Sequence, residues 1–314
     1  MALTMIENEP LAKYTSWRIG GPARYFTNAA TPEDLRTTLA WARQRAIPVF
    51  VLGGGTNLLA RDQGFDGLVL RCRSQELRIE ASDDTGRAWL AAGAPMAGSV
   101  RKLAAQGWGG MQWAEGLPGT IGGALFGNAG CYGGDIASVL ARAWLLIGNA
   151  IEEWPVERFA YGYRTSVLKA AMRRAGDAAT GRSQSDFHAH SPAHPLARSP
   201  IVLAAEFNIQ RADARELAAQ MERTAAERKG KTPWGSSCGS VFKNPPRESA
   251  GRLIEAAGLK GTRVGGAEIA QKHANYIVNL GGASSADVLG LVEIARERVF
   301  KEFGIALELE VQII

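Results

Sequence analysis

The sequence predicts an α+β protein that is divided into more than one subdomain. Its 314 residues are long for a single hydrophobic core. Strand and amphipathic-helix patterns alternate with glycine-rich loops up to residue 166, and a second α/β unit begins at residue 201. Between these two parts, the composition of residues 170–200 turns to Ala, Arg, Ser, His and Pro.

Composition excludes several classes of function. The chain has 36 Lys and Arg against 31 Asp and Glu, and the net charge of +5 is spread along its length. This charge is too diffuse for nucleic-acid binding and suits a small anionic ligand. Cys72, Cys131 and Cys238 are far apart and form no C-x-x-C motif, which indicates reduced thiols without a disulfide frame or zinc site. No apolar run has membrane-spanning length and no secretion signal is recognisable, so we expect a soluble cytoplasmic protein.

The first α/β pattern leads to a glycine loop. Residues 24–28 predict a short strand, and Thr31 caps a helix that runs to about Arg45 with Pro32 at its first position. Residues 49–52 are a buried strand, and residues 53–57, GGGTN, follow it directly. A strand, a glycine turn and a polar residue are the outline of a phosphate-binding loop.

Neither familiar phosphate motif fits this loop. A dinucleotide fingerprint needs glycine where the chain has Leu58, and a P-loop needs a lysine that residues 53–61 lack. The loop is therefore expected to bind a pyrophosphate in a fold that is neither Rossmann nor P-loop. A plain tight turn is the alternative interpretation.

The least ordinary part of the chain is residues 116–134, GLPGTIGGALFGNAGCYGG, with eight glycines in nineteen residues. Glycine costs conformational entropy, so such density indicates that something requires bare backbone. A flexible linker is the alternative, but linkers are not studded with Leu117, Ile121, Leu125 and Phe126. We interpret the stretch as backbone lying directly against a flat or anionic ligand.

The other elements are predicted from periodicity. Residues 68–70, 77–81, 88–92 and 143–147 indicate strands, and residues 96–106 a helix. Residues 170–200 indicate a disordered surface insertion, and their three histidines lack the partners that a metal site would need.

The second α/β unit has clearer ends. A strand at 201–208 precedes a helix at 213–229, and Ser284 with Asp287 forms a capping box for a helix that reaches Phe303. Residues 307–314 alternate strictly between apolar and polar side chains, which predicts a strand with Glu310 on its second face.

Six blocks of this chain resemble the UDP-N-acetylenolpyruvoylglucosamine reductase family. They are TSWRIGGP at 15–22, the loop at 53–57, GLPGTIGGA at 116–124, YRTS at 163–166, SCGSVF at 237–242 and LELEV at 307–311. Their order is that of the family, and they cover nearly the whole chain apart from 170–200. Without the resemblance, the residues alone indicate only a nucleotide- or flavin-binding α/β protein.

The resemblance implies a two-part FAD-binding domain of the vanillyl-alcohol-oxidase type and a smaller α/β substrate-binding domain. The implied boundaries are 1–72 and 73–204 for the two FAD-binding subdomains and 205–304 for the substrate domain, with the strand 305–314 returning to the active site. The implied cofactor-binding residues lie in the two glycine-rich segments: Gly53, Gly54, Gly55, Thr56, Asn57, Leu58, Gly116, Pro118, Gly119, Thr120, Gly122, Gly123, Asn128 and Gly130.

The resemblance also implies the reaction. NADPH gives hydride to FAD, and reduced FAD passes hydride to C3 of the enolpyruvyl group, which leaves negative charge on C2 and its carboxylate. The family motifs then assign Arg164 to the carboxylate, a protonated Glu310 to the same group and Ser240 to proton delivery at C2. Asn244 is expected to help hold the nucleotide sugar, and no metal is expected.

Departures from the family pattern limit this assignment. The family has a longer type with a tyrosine on an extra folded element, and this chain resembles the shorter type. Thr56 stands where serine is common and Gln312 where arginine is usual. His273 is interpreted as a structural histidine.

Two other functions remain open from the residues. One is another flavin oxidoreductase of the same fold, such as a hydroxy-acid or sugar oxidase. Residues 53–57 have no His or Cys to tether a flavin, although Cys131 lies in the second glycine-rich stretch. The other is a non-catalytic nucleotide-sugar binding protein, which would be colourless where a flavoprotein is yellow. We expect a monomer that binds a small nucleotide sugar and neither nucleic acid nor membrane.

Overall fold

The computed structural model describes residues 4–172 and 200–314. In chain order, its strands are Ile6–Pro10 (β1), Pro22–Ala29 (β2), Val49–Leu52 (β3), Leu58–Leu59 (β4), Phe65–Cys72 (β5), Leu77–Ser82 (β6), Thr85–Ala91 (β7), Trp108–Gly109 (β8), Gly130–Cys131 (β9), Gly134–Asp135 (β10), Leu140–Ile147 (β11), Ala150–Pro155 (β12), Ile201–Arg211 (β13), Arg263–Val264 (β14), Ala267–Ile269 (β15), Ile277–Asn279 (β16) and Gln312–Ile313 (β17).

The α-helices whose two ends both lie in the described residues are Pro32–Gln44, Met96–Ala104, Ile121–Gly127, Ile136–Val139, Ala214–Lys231, Ala250–Ala256 and Ser285–Phe303. Short 3-10 helices occupy Leu11–Tyr14, Gln112–Ala114 and Val156–Phe159.

The chain divides into two compact units. Unit 1 comprises Met1–Ile6, Tyr25–Gly54 and Gly67–Arg228, and unit 2 comprises Glu7–Arg24, Gly55–Asp66 and Lys229–Ile314. The chain passes from unit 1 to unit 2 between Gly54 and Gly55, inside the first glycine loop. The finer boundaries at residues 72, 204 and 304 stay a prediction.

The largest sheet of unit 1 is antiparallel. Its strands follow the order β12-β11-β13-β7-β6, and β8 also pairs with β13. The eleven-residue β13 lies in the middle and places Ala205, Phe207 and Ile209 in the main apolar core. Buried Glu206 on the same strand is paired with Arg142 through two hydrogen bonds of 3.1 Å.

A smaller part of unit 1 carries the first glycine loop. Strands β2, β5 and β3 lie side by side in this order, and β3 runs parallel to β5. The helix Pro32–Gln44 begins with the predicted cap, because Thr31 and Asp34 form a reciprocal capping box. Leu35, Leu39 and Ala42 are buried as their helical spacing predicts.

Unit 2 has its own core. The helices Ala250–Ala256 and Ser285–Phe303 share an apolar cluster with residues of the sheet β14-β15-β16. Trp17 is fully buried in this cluster and donates its indole N–H to the carbonyl of Ile277 at 2.7 Å. The predicted capping box of Ser284 and Asp287 is present.

The prediction of a continuous strand over 307–314 is wrong. Only Gln312–Ile313 form a strand, parallel to β4, and Leu309 forms an isolated bridge with Phe242. The reason is that the backbone bonds of this segment go to different partners: Glu310 N–H donates to Val241 and Gln312 N–H to Asn57. The predicted insertion at 170–200 lies outside the described residues except for residues 170–172 and 200.

Two features are absent from the described residues. No helix there combines the length and apolarity that crossing a bilayer requires. Within residues 4–172 and 200–314, no group of three or more His, Cys, Asp or Glu is placed to hold a metal ion.

We expect Asp62→Ala to lower the free energy of unfolding by about 1–3 kcal/mol, because it leaves the start of the helix Ser285–Phe303 without its acceptor. The Asp62 carboxylate accepts from the backbone N–H of Ser285 at 2.9 Å and from its hydroxyl at 2.7 Å. Asp66→Ala is the control, since the Asp66 side chain is 85% exposed in its ion pair with Arg24. Equal effects of the two substitutions in urea denaturation would contradict the capping role of Asp62.

Candidate active site

In unit 1, the two glycine-rich segments touch through their backbones. A Cβ on Gly54 would lie 2.7 Å from the Cα of Gly119, and a Cβ on Gly53 would lie 2.7 Å from the hydroxyl of Thr120. Contacts this short leave no room for any side chain. Gly53 and Gly54 of the first predicted segment are therefore brought together with Gly119 and Thr120 of the second.

Backbone donors are exposed at this contact. Among the described residues of unit 1, the N–H groups of Gly54, Gly119 and Thr120 have no hydrogen-bond acceptor. Consecutive N–H groups without partners form a concavity that favours negatively charged oxygen atoms. The arrangement suits a phosphate or pyrophosphate group, as the sequence predicts.

Hydrogen bonds of Thr120 and Gly122 hold the 116–130 stretch in place. The Thr120 hydroxyl accepts from the N–H of Gly123 at 3.4 Å and so caps the helix Ile121–Gly127. Gly122 donates its N–H to the carbonyl of Ala92, at the end of β7. These bonds hold the turn that contains Pro118 and Gly119 against the main sheet.

Asn128 is the centre of a buried network in unit 1. It is 4% exposed and adopts a left-handed backbone conformation with φ of 47°. Its amide donates to Asp135 and to the carbonyl of Gly162, and its carbonyl oxygen accepts from Ala137. Because the amide already has these partners, its contribution here is to position the neighbouring turn. A direct contact of Asn128 with a cofactor stays a prediction.

That turn carries Arg164. Gly162 and Thr165 exchange two backbone hydrogen bonds of 3.2 Å, and Arg164 between them has φ of 55°. Such a φ is unfavourable for a residue with a side chain, and strained residues concentrate at functional sites. The guanidinium of Arg164 donates to the carbonyl of Gly130 at 2.7 Å, which places its charge at the end of the glycine-rich stretch.

Unit 2 brings Ser240 and Glu310 together. The N–H of Glu310 donates to the carbonyl of Val241 at 2.8 Å, and the N–H of Lys243 donates to the carbonyl of Glu308 at 2.8 Å. The Ser240 loop and the C-terminal segment therefore run antiparallel in close contact. Ser240 and Glu310 are both half-buried.

The second half of the glycine loop lies at the same place in unit 2. The Asn57 side chain donates to the carbonyl of Glu310 at 3.2 Å, and its backbone carbonyl accepts from Gln312 at 3.1 Å. The thiol of Cys238 lies 3.3 Å from the carbonyl of Leu58. Predicted cofactor residues and predicted catalytic residues thus share one corner of this unit.

Asn244 has a structural contact in unit 2. Its carbonyl oxygen accepts from the N–H of Ala250 at 3.1 Å, at the start of the helix Ala250–Ala256. Its side chain is exposed, and the predicted contact with the nucleotide sugar stays a prediction.

Sequence reasoning missed Asn275. This residue is 3% exposed, and its side chain both accepts from the N–H of Phe242 at 2.9 Å and donates to the Phe242 carbonyl at 2.8 Å. Its own carbonyl accepts from Val241. Asn275 therefore holds the loop that carries Ser240. A buried asparagine has no sequence signature of its own, and only its place beside His273 in the chain could have drawn attention.

His273 behaves as a structural residue. Its Nδ1 accepts from the N–H of Asn275 at 3.2 Å, and its ring packs 4.8 Å from the ring of Tyr276. Burial lowers the pKa of His273 below its ordinary value, so the ring is neutral near pH 7.

The first glycine loop and the 116–130 stretch lie in a known cofactor-binding region. Residues 23–145 match the FAD binding domain family, and residues 231–314 match the family described as the UDP-N-acetylenolpyruvoylglucosamine reductase C-terminal domain. The first match defines the class of this protein as FAD-binding.

Full-length relatives narrow the class. The chain is 50% identical to the UDP-N-acetylenolpyruvoylglucosamine reductase of Chloroflexus aurantiacus and 51% identical to that of Chloroflexus aggregans, in each case over 100% of this chain and 99% of the relative. The crystal structure of the same reductase from Thermus caldophilus has a TM-score of 0.76 at 32% identity, covering 100% of this chain and 99% of that one. The chain belongs to the UDP-N-acetylenolpyruvoylglucosamine reductase family, which confirms the resemblance and the predicted fold class.

The residues of the site fit FAD. Its pyrophosphate needs several hydrogen-bond donors, and in unit 1 the N–H groups of Gly54, Gly119 and Thr120 are available for this role.

We expect Gly54→Ala to reduce the FAD bound per protein chain at least tenfold, because the new methyl group would force the two glycine-rich segments apart. Flavin absorbance relative to protein absorbance after purification measures this ratio. Gly127→Ala is the matched control, since a Cβ at Gly127 meets nothing within 4 Å. Full flavin content in Gly54→Ala would show that the contact does not bind the cofactor.

Proposed function

We propose that this protein reduces UDP-N-acetylglucosamine enolpyruvate to UDP-N-acetylmuramate with NADPH and FAD, a step in the synthesis of peptidoglycan precursors. The observation that carries the proposal is the antiparallel contact of the Ser240 loop with the Glu310 segment, beside Asn57 of the glycine loop. Bound FAD would take two electrons from NADPH and transfer them to the enolpyruvyl double bond. The protein's own residues must then stabilise the negative charge that forms on the substrate and supply one proton.

Arg164 binds the substrate carboxylate. A guanidinium can hold a carboxylate through two parallel hydrogen bonds, and it does so both before and during the reaction. The strained backbone of Arg164 and the bond of its Nη2 to Gly130 support this role, because they fix both ends of the side chain. Its charge also stabilises the enolate that forms when C3 is reduced.

Glu310 assists at the same carboxylate. In its protonated form it donates a hydrogen bond to the developing enolate, which strengthens as negative charge accumulates. Two backbone bonds support a fixed position for this residue: its N–H donates to Val241, and its carbonyl accepts from Asn57. A side chain on an anchored backbone can be aimed at one atom.

Ser240 delivers the proton to C2. Within residues 4–172 and 200–314, its hydroxyl makes no hydrogen bond, which supports a hydroxyl kept for a ligand. Serine is a weak acid, but a carbon enolate is a strong base, so the transfer is favourable in a site without bulk water. Asn244 is proposed to hold the nucleotide sugar.

The substrate is a small nucleotide sugar, and we propose a monomeric cytoplasmic enzyme that binds neither nucleic acid nor membrane. An oxidase of the same fold and a colourless nucleotide-sugar binder are the alternatives. The purified protein should be yellow, bleach when NADPH is added without oxygen, and regain its colour when the enolpyruvyl substrate follows. Bleaching without reoxidation by that substrate would contradict the proposed function.

We expect Ser240→Ala and Glu310→Gln to bleach with NADPH at close to the parent rate, since that half of the reaction creates no carbanion. Reoxidation by the enolpyruvyl substrate should slow about a hundredfold or more, the scale for one proton donor or one charge-stabilising group. Arg164→Ala should also weaken substrate binding, because its charge meets the ground-state carboxylate. Anaerobic stopped-flow absorbance separates the two halves. If Ser240→Ala reoxidised at the parent rate, the proton would have to come from elsewhere.

We expect Asn275→Ala to slow reoxidation about tenfold while bleaching by NADPH and flavin content stay near the parent values. The substitution leaves the N–H and carbonyl of Phe242 without partners, so the loop that carries Ser240 loosens. The same stopped-flow assay measures both rates. Tyr276→Phe is the neighbouring control, since the Tyr276 hydroxyl makes no hydrogen bond within the described residues. Equal slowing of both halves in Asn275→Ala would indicate general loss of structure.

A further inference from the structure

Arg228 carries a positive charge that the mechanism above does not use. It lies near the end of the helix Ala214–Lys231, within unit 1, and is half-buried. Among the described residues it forms no ion pair with a carboxylate. Burying part of a guanidinium without a countercharge costs free energy, so an unpaired one in a ligand-binding region indicates a missing anion.

The surroundings of Arg228 are those of the candidate site. A Cβ at Gly116 would lie 3.1 Å from the Cδ of Arg228, so the side chain lies directly on the first glycine of the stretch. Its Nη1 lies 3.9 Å from the sulfur of Cys131. The thiol of Cys131 donates to the carbonyl of Trp113 at 3.1 Å, which fixes the sulfur that Arg228 meets.

Arg164 and Arg228 converge on two consecutive residues. Arg164 donates to the carbonyl of Gly130, and Arg228 contacts the side chain of Cys131. Burial raises the pKa of the Cys131 thiol, and the charges of both arginines oppose that rise, as two nearby cations must. The two positive charges repel each other, and an anion bound between them would be attracted by both and would offset this repulsion.

We propose that Arg228 is a second binding residue for the carboxylate of the enolpyruvyl substrate, opposite Arg164. The inference rests on the proposed function, which supplies a carboxylate at Arg164. A carboxylate has two oxygens with about four lone-pair sites, so it can accept from two guanidinium groups at once. The substrate diphosphate is the competing anion, and a pair of ligands distinguishes the two.

The experiment compares two nucleotide sugars by titration calorimetry on the FAD-loaded protein. UDP-N-acetylmuramate carries the carboxylate, whereas UDP-N-acetylglucosamine has the same diphosphate and lacks the carboxylate. We expect Arg228→Gln to weaken the first ligand about tenfold or more and to leave the second within about twofold. Arg228→Lys keeps the charge and should weaken the first ligand less. Arg223→Ala is the matched control, since Arg223 is exposed on the same helix.

Three results would overturn the proposed role of Arg228. Equal weakening of both ligands would assign Arg228 to the diphosphate, and no weakening of either would make it structural; both overturn the proposal. Loss of flavin from Arg228→Gln and Arg228→Lys alike would assign it to the cofactor and overturn it too. A parent protein that NADPH does not bleach, or that the enolpyruvyl substrate does not reoxidise, would instead refute the proposed function.

Discussion

The backbone contact between Gly54 and Gly119 is the constraint on which the candidate site depends. It exists only because neither residue has a side chain, and it brings the partnerless N–H groups of two distant segments together. The strand β3 delivers one segment and the cap at Thr120 holds the other. A single added methyl group on Gly54 would push the two segments apart, so their relative position depends on the absence of one carbon atom.

In unit 2, hydrogen bonds position the two side chains that are proposed to be catalytic. Ser240 lies in a loop and Glu310 in a segment with little regular structure, and neither position is rigid by itself. The side chain and the backbone carbonyl of Asn275 anchor the loop, and the Val241 carbonyl of the loop in turn anchors Glu310. The consequence is that a buried amide more than thirty residues further along the chain controls the position of Ser240, the proposed proton donor.

Local signals predicted much of this structure. The capping boxes at Thr31 and Ser284 and the loop after β3 were readable because each depends on residues close in sequence. The C-terminal segment was misread as one strand, because its apolar alternation is real while its hydrogen-bond partners, Val241 and Asn57, are distant. Asn275 could not be found for the same reason. The roles of Arg164, Ser240 and Glu310 came from the family resemblance, since each residue alone is ordinary.

Packing within the protein accounts for at least two of the eight glycines between residues 116 and 134. Gly119 packs against Gly54 of the other glycine loop, and a Cβ on Gly134 would lie 2.3 Å from the ring of Trp113. Glycine density therefore overstates how much backbone faces a ligand. The packing at Gly134 still serves the site, because the carbonyl of Trp113 fixes the thiol of Cys131 between the charges of Arg164 and Arg228. Within the described residues, the stretch therefore has backbone N–H groups without acceptors near Gly119 and two arginine side chains near Gly130 and Cys131.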